Sequence, residues 1–330
     1  MKSVVLPVGR PYDWRVFWIL SGANVLAVTA IIPFALNLQR AYMKPEADFS
    51  STVEALILDR VFTIFLAALL GGTGLHFANR VGLGLPLLGR WLERRPLPWR
   101  VRSVVAMSVL TGVCCGGGIL LADFQFFRPG MLTMIEELGI TTPKEAVAPP
   151  LYGLLAAFSA GVTEETLFRL FGVSLIVLVA MRIIRPSSER PTSAVLWSAN
   201  ILIALAFGAV HFANVAVVGW PLNTLVVART LVLNGAAGLL FGWLFWTYGL
   251  ESAMVAHVST DVVLYVLLPL VLFAEEGSEK VLTGVGVIAV VVLVMIWAGR
   301  TLFRERSYSG DTAASQIKGG QESADDGGGP

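Results

Sequence analysis

The stretch PLYGLLAAFSAGVTEETLFRLFGVSLIVLVAM, from Pro150 to Met181, decides how the rest of the chain is read. It is long enough to cross a hydrocarbon layer, which takes roughly 20 consecutive apolar residues. Its only charged side chains are Glu164, Glu165 and Arg169, all well away from either end. A charged group at the centre of a bilayer costs roughly 2.5–3.5 kcal/mol, so each is a candidate for function. One segment therefore predicts both a membrane span and a polar site inside it.

Working outward, the same apolar length recurs. The chain has 330 residues, 55% apolar and 14% charged, with a mean hydropathy of +0.73. A soluble domain needs far more surface charge than this. The apolar runs predict an all-α, polytopic transmembrane helix bundle of about eight spans, near 15–37, 55–78, 101–122, 150–181, 193–213, 226–248, 251–273 and 281–303. Residues 1–303 would form the transmembrane domain. The polar, Gly- and Ser-rich stretch 304–330 cannot bury a core and is expected to be a disordered cytoplasmic tail. The N-terminus lacks the compact pattern of a cleaved signal peptide, so the first run reads as a retained helix.

Loop charge supports an even number of spans. Lys2, Arg10 and Arg15 precede the first, Arg80 to Arg102 fill the second loop, Arg182, Arg185 and Arg190 the fourth, and Arg300, Arg304 and Arg306 follow the last. The alternate loops carry Glu46, Asp48 and Glu54, then Asp123, Glu136, Glu137 and Glu145, then Glu275, Glu276 and Glu279. Both termini are expected in the cytoplasm. The net charge of +1 gives no support to a nucleic-acid partner. The adjacent Cys114 and Cys115 lack disulfide or metal-ligand spacing and read as small packing residues. Segment 83–92 is too short to span and suits the membrane interface. Gly112/Gly116 and Gly238/Gly242 have the spacing that lets helices approach closely.

Three pairs of residues share helix faces at a four-residue spacing: Glu165 with Arg169, Phe207 with His211, and His257 with Asp261. Glu164 projects about 100° away from Glu165 and is left without the arginine. An unpartnered carboxylate away from bulk water suits a general acid or base. The bland alternative is that Glu164, Glu165 and Arg169 form one buried ionic lock, and that a lone membrane histidine is a helix-packing group. Two histidines, an aligned aspartate and the Glu-Glu-x-x-x-Arg run together favour a site. His76 is expected at the interface, Asp59 and Arg60 near a helix end, Arg229 snorkelling from one, and Asn200 and Asn234 bonding between helices.

In that order, Glu164-Glu165-x-x-x-Arg169, Phe207-x-x-x-His211 and His257-x-x-x-Asp261 resemble the CAAX prenyl protease and bacteriocin-processing (CPBP) family of intramembrane proteases. The resemblance covers about residues 150–270, including the break TYGLES, 247–252, before the third motif. It implies an endopeptidase in a bacterial-type cell membrane, acting on a peptide or lipidated-protein substrate among membrane lipids. It also implies that Glu164 and His211 activate water, that His257 and Asp261 stabilise the oxyanion, and that Glu165, Arg169 and Phe207 support them. The third motif often ends in Asn in the family, and an ionised Asp261 would repel an oxyanion. Asp261 must then be protonated, orient His257 or bind a metal. No cofactor is required by the glutamate-driven route. A zinc site of Glu164, His211, His257 and Asp261 stays open, although the chain lacks HExxH. A proton-coupled transporter and a non-catalytic immunity protein are the competing functions. Counted from the drawn ends, His211 falls near the outer side of its span and His257 near the inner side. That conflict points to a sunken 247–251 turn or to a fifth span that begins later than drawn.

Overall fold

The computed structural model describes residues 6–42, 49–96, 101–139, 148–185, 188–272 and 278–325, with side chains left undescribed at 49–52, 278 and 303–325. Lys2, Glu46, Asp48, Arg100, Glu145, Glu275 and Glu276, and the side chains of Arg304 and Arg306, lie outside what is described.

Among the described residues every regular element is a helix. They are α1 (Trp14–Ala30), α2 (Ile32–Tyr42), α3 (Phe49–Val81), α4 (Pro86–Leu92), α5 (Val101–Ala122), α6 (Arg128–Glu137), α7 (Pro150–Glu164), α8 (Ser174–Ile184), α9 (Ser193–Val210), α10 (Phe212–Val218), α11 (Thr224–Tyr248), α12 (Leu250–Val262), α13 (Leu268–Leu272) and α14 (Ser278–Asp325). Wider π-helical turns join some of them into longer rods, at Asp123–Phe127, Glu165–Val173 and Val263–Leu267. Helix α14 continues through the polar stretch after 304 that the composition assigned to a tail.

Seven helical rods are long and apolar enough to cross a membrane: Trp14–Tyr42, Val101–Glu137, Pro150–Ile184, Ser193–Val218, Thr224–Tyr248, Leu250–Leu272 and Glu279–Leu302. They coincide with seven of the eight expected spans. The remaining segment, 55–78, lies inside the 33-residue α3. Phe65, Leu121, Leu205 and Ile288 stand 65%, 71%, 54% and 64% exposed. Such an apolar outer face suits acyl chains and would be a liability in water. The chain is an integral, multi-pass membrane protein.

Close approach between helices places the site. Helices α9 and α11 run antiparallel, with Trp197 against Trp246 at 5.0 Å and Asn200 donating to the Leu239 carbonyl at 2.9 Å. A Cβ on Gly242 would meet Asn200 Oδ1 at 1.8 Å. A Cβ on Gly112 or Gly116 would strike the α12 backbone, at Ala256 O or Thr260 O. Both glycine pairs therefore do what their spacing predicts, letting backbones touch where packing rather than hydrophobicity must hold helices together.

The TYGLES break is a tight turn on Gly249, whose φ of +103° lies where only glycine is comfortable. Leu250 donates its amide to Gly84 O, and Glu251 accepts from the Leu87 and Leu88 amides at 3.0 and 2.9 Å. The short helix α4 is thus tied to the start of α12 by otherwise orphaned donors. Of the cysteines only Cys115 is buried, and Cys114 faces outward.

Candidate active site

The polar residues converge in the middle of this packing. Glu164 ends α7 and Glu165 opens the π-helical stretch, where the widened turn shifts side chains off the regular α register. Such turns cluster at functional sites. Glu165 and Arg169 are buried and paired, with Arg169 Nη1 3.1 Å from Glu165 Oε1. Arg169 also donates to the Gly238 carbonyl at 3.1 Å, and its guanidinium carbon lies 4.4 Å from the centre of the Phe207 ring. A cation in an apolar interior survives only with such compensation.

His257 comes from α12 and binds the same carboxylate oxygen. Its Nδ1 lies 2.7 Å from Glu165 Oε1. Because an ionised carboxylate only accepts, Nδ1 carries the proton donated there. Nε2 then faces Glu164 Oε2 at 3.9 Å and Asp261 Oδ2 at 3.6 Å. The ring is stacked on Phe241 with centroids 4.6 Å apart and meets Phe207 edge-on at 5.8 Å. Glu165 is buried completely, whereas the Glu164 side chain keeps 32% of its surface. Glu164 Oε2 has no hydrogen-bond partner among the described residues. The two glutamates therefore differ: Glu165 is fully buried with Oε1 held by His257 and Arg169, whereas the Glu164 side chain stays partly exposed and makes no such bond, and the Oε2 of each is buried without a hydrogen-bond partner.

His211 sits at the end of α9, where α10 continues the rod as far as Val218. The rod begins at Ser193, as expected, and runs on to Val218, beyond the expected end at 213. Nδ1 of His211 lies 2.7 Å from the Phe207 carbonyl oxygen, and because a carbonyl only accepts, Nδ1 carries the proton of that bond. The Phe207 ring stands beside both imidazoles, 4.9 Å from His211 and 5.8 Å from His257. Among the described residues no hydrogen bond joins His211 to Glu164, His257 or Asp261.

A cavity of about 320 Å³ opens on His211, lined also by Asp123, Trp220, Arg229, Asn234 and Tyr265. Two sequence expectations change here. Arg229 does not simply snorkel, because it is paired with Asp123 at 2.6 Å and lies over Trp220. Asn234 bonds its own helix, at the Thr230 carbonyl, and lines the cavity rather than bridging to a neighbour. Nothing in local spacing pointed to Asp123, which is 106 residues from its partner. Asp59 and Arg60 form an exposed ion pair.

Among the described residues no three His, Cys, Asp or Glu side chains are grouped so as to hold a metal ion. The set of Glu164, His211, His257 and Asp261 is not such a group in these positions.

Residues 146–263 match the family model of the Rce1-like type II CAAX prenyl endopeptidases. The match contains all three motifs, and the chain is an intramembrane protease with an Rce1-like domain, consistent with the CPBP family. No curated protein and no solved structure matches the chain.

Proposed function

We propose that the chain hydrolyses a peptide bond of a membrane-associated or lipidated substrate by glutamate-driven activation of water. The observation that carries this reading is the division between the two glutamates. Glu164 keeps an unpartnered oxygen 3.9 Å from the Nε2 of a histidine whose other nitrogen is anchored.

Glu164 takes a proton from water as its oxygen attacks the scissile carbonyl carbon, and returns it to the leaving amine nitrogen as the tetrahedral intermediate collapses. His211, protonated on Nδ1, offers its Nε2 lone pair to hold the water. With Nδ1 donating to Glu165, an imidazolium at His257 points an Nε2–H at the developing oxyanion. Asp261, one helical turn on, positions that ring rather than meeting the oxyanion itself. Glu165, Arg169, Phe207 and Phe241 hold the geometry, and the cavity at His211 admits the substrate. No metal or other cofactor takes part in this scheme.

The test is cleavage in proteoliposomes of the purified chain, using a panel of farnesylated, acylated and unmodified membrane-anchored peptides. The expected result is cleavage of at least one peptide by the natural chain and none by Glu164→Gln, with both proteins inserted and folded. A Glu164→Gln variant that still cleaves would remove the mechanism. Ion or proton flux through the same vesicles would favour the transporter reading instead.

A further inference from the structure

A second polar cavity, of about 480 Å³, lies away from the catalytic residues. It is bounded by Gly9, Arg10, Tyr12, His76, Asn79 and Arg80. The chain makes it by folding the segment before α1 back along the end of α3: Gly9 donates its amide to the Asn79 carbonyl at 2.8 Å. The glycine has φ of +73° and open space where a side chain would stand.

The charge around this cavity is lopsided. Arg10 pairs with Glu93 at 3.2 Å, but Glu93 is shared with Arg95 at 2.9 Å. Arg80, in the last turn of α3, forms no ion pair or side-chain hydrogen bond among the described residues, and His76 lies one turn before it on the same face. Two guanidinium groups, an imidazole and an amide thus border one cavity against a single, already divided carboxylate. That is a donor set for a phosphate group, which guanidinium planes bind better than any other side chain does.

The location says where the phosphate comes from. Tyr12, Trp14 and Phe17 cluster beside the cavity, and Trp14 and Trp18 project outward, 62% and 67% exposed. Exposed tryptophans at the start of a spanning helix mark headgroup depth. We propose that Arg10, His76, Asn79 and Arg80 form a phosphate-binding site that takes the headgroup of an anionic phospholipid and pins the N-terminal segment to α3. A bound headgroup would also brace the catalytic helix. Helix α3 packs so tightly on the Glu165–Val173 stretch that a Cβ on Gly74 would meet Leu170 O at 3.0 Å and Phe171 N at 2.9 Å.

Arg80→Gln is the cleaner probe, because Arg80 forms no ion pair or side-chain hydrogen bond among the described residues, and Arg10→Gln/Arg80→Gln is the stronger one. Native mass spectrometry of the purified full chain, titrated with phosphatidylglycerol, phosphatidic acid or phosphatidylcholine, counts retained lipid. Each lost arginine is expected to weaken anionic-lipid binding about fivefold, with melting in lipid-free detergent unchanged for Arg80→Gln. Competition by inorganic phosphate at millimolar concentration would keep the site and move its natural ligand into solution. Equal retention of phosphatidylcholine, or undiminished binding of anionic lipid by the double variant, would overturn the proposal.

Discussion

His257 Nδ1 donates to Glu165 Oε1 at 2.7 Å, joining residues 92 apart in sequence. The same oxygen holds Arg169, so Glu165 is a hub between two helices. The neighbouring Glu164 touches His257 only at 3.9 Å, from the other side of the ring. Two adjacent, chemically identical side chains thus have opposite demands placed on them, and substitution should separate them.

Glu165→Gln removes the charge that two buried donors share. Breaking a buried pair by neutralising one partner costs about 3–5 kcal/mol, so this variant should melt far earlier in detergent. Glu164→Gln should melt like the natural chain, yet lose about 100-fold or more in cleavage rate, the span usual for loss of a general base. Thermal melts beside proteoliposome kinetics check both. The reverse pattern would assign the base to Glu165.

Arg169 is expected to be coupled to Glu165 rather than to the reaction. Arg169→Met strands the Glu165 carboxylate and should destabilise severely. In Glu165→Gln/Arg169→Met the charge and counter-charge leave together, and an apolar replacement of a buried pair is often close to neutral. The double variant should therefore be more stable than either single one, with a coupling of about 1–3 kcal/mol. Melts of all four proteins measure it, and simple additivity would show the pair to be independent.

Gly112 tests whether the helix carrying His257 is held by backbone contact. A methyl there would lie 2.2 Å from Ala256 O and 2.7 Å from Ser259 Cβ, so α5 and α12 must part. Overpacking of this kind costs about 1–3 kcal/mol. Gly112→Ala should lower both stability and cleavage, because Ala256 adjoins His257. Gly117→Ala, where a Cβ meets nothing within 4 Å, should change neither. Loss in both variants would point to helix flexibility instead.

Local relationships were legible before any coordinates. Glu165 with Arg169 and His257 with Asp261 lie where helical spacing puts them, at 3.1 and 3.6 Å. The charges in apolar runs marked segments whose polar side chains meet in the packing, and such charges are costly to insert. Spacing carries no information about which faces of different helices meet. The Glu165–His257 bond, the stacking of Phe241 on His257 and the Asp123–Arg229 pair are all choices of tertiary packing. The span that reaches Val218 was expected to end at 213. The widened turn after Glu164 has no signature in composition at all. It lets consecutive glutamates reach one imidazole from two sides, where a regular helix would point them about 100° apart.

The Asp123–Arg229 pair borders the cavity that opens on His211 without touching Glu164, Glu165 or His257. If substrate enters by this cavity, the pair acts on binding and leaves the chemical step alone. Asp123→Asn keeps the shape of the wall, frees the Arg229 guanidinium and makes the cavity more positive. Removal of uniform binding raises KM with kcat unchanged. A substrate with a free C-terminal carboxylate beyond the scissile bond should gain from the freed cation, and its amidated form should not. The expected outcome is a lower KM for the acid in Asp123→Asn, a higher one in Arg229→Gln, and kcat within about twofold in both. Steady-state kinetics on the acid and amide pair read this directly. A fall in kcat with constant KM would place these residues in the reaction rather than on the route to it.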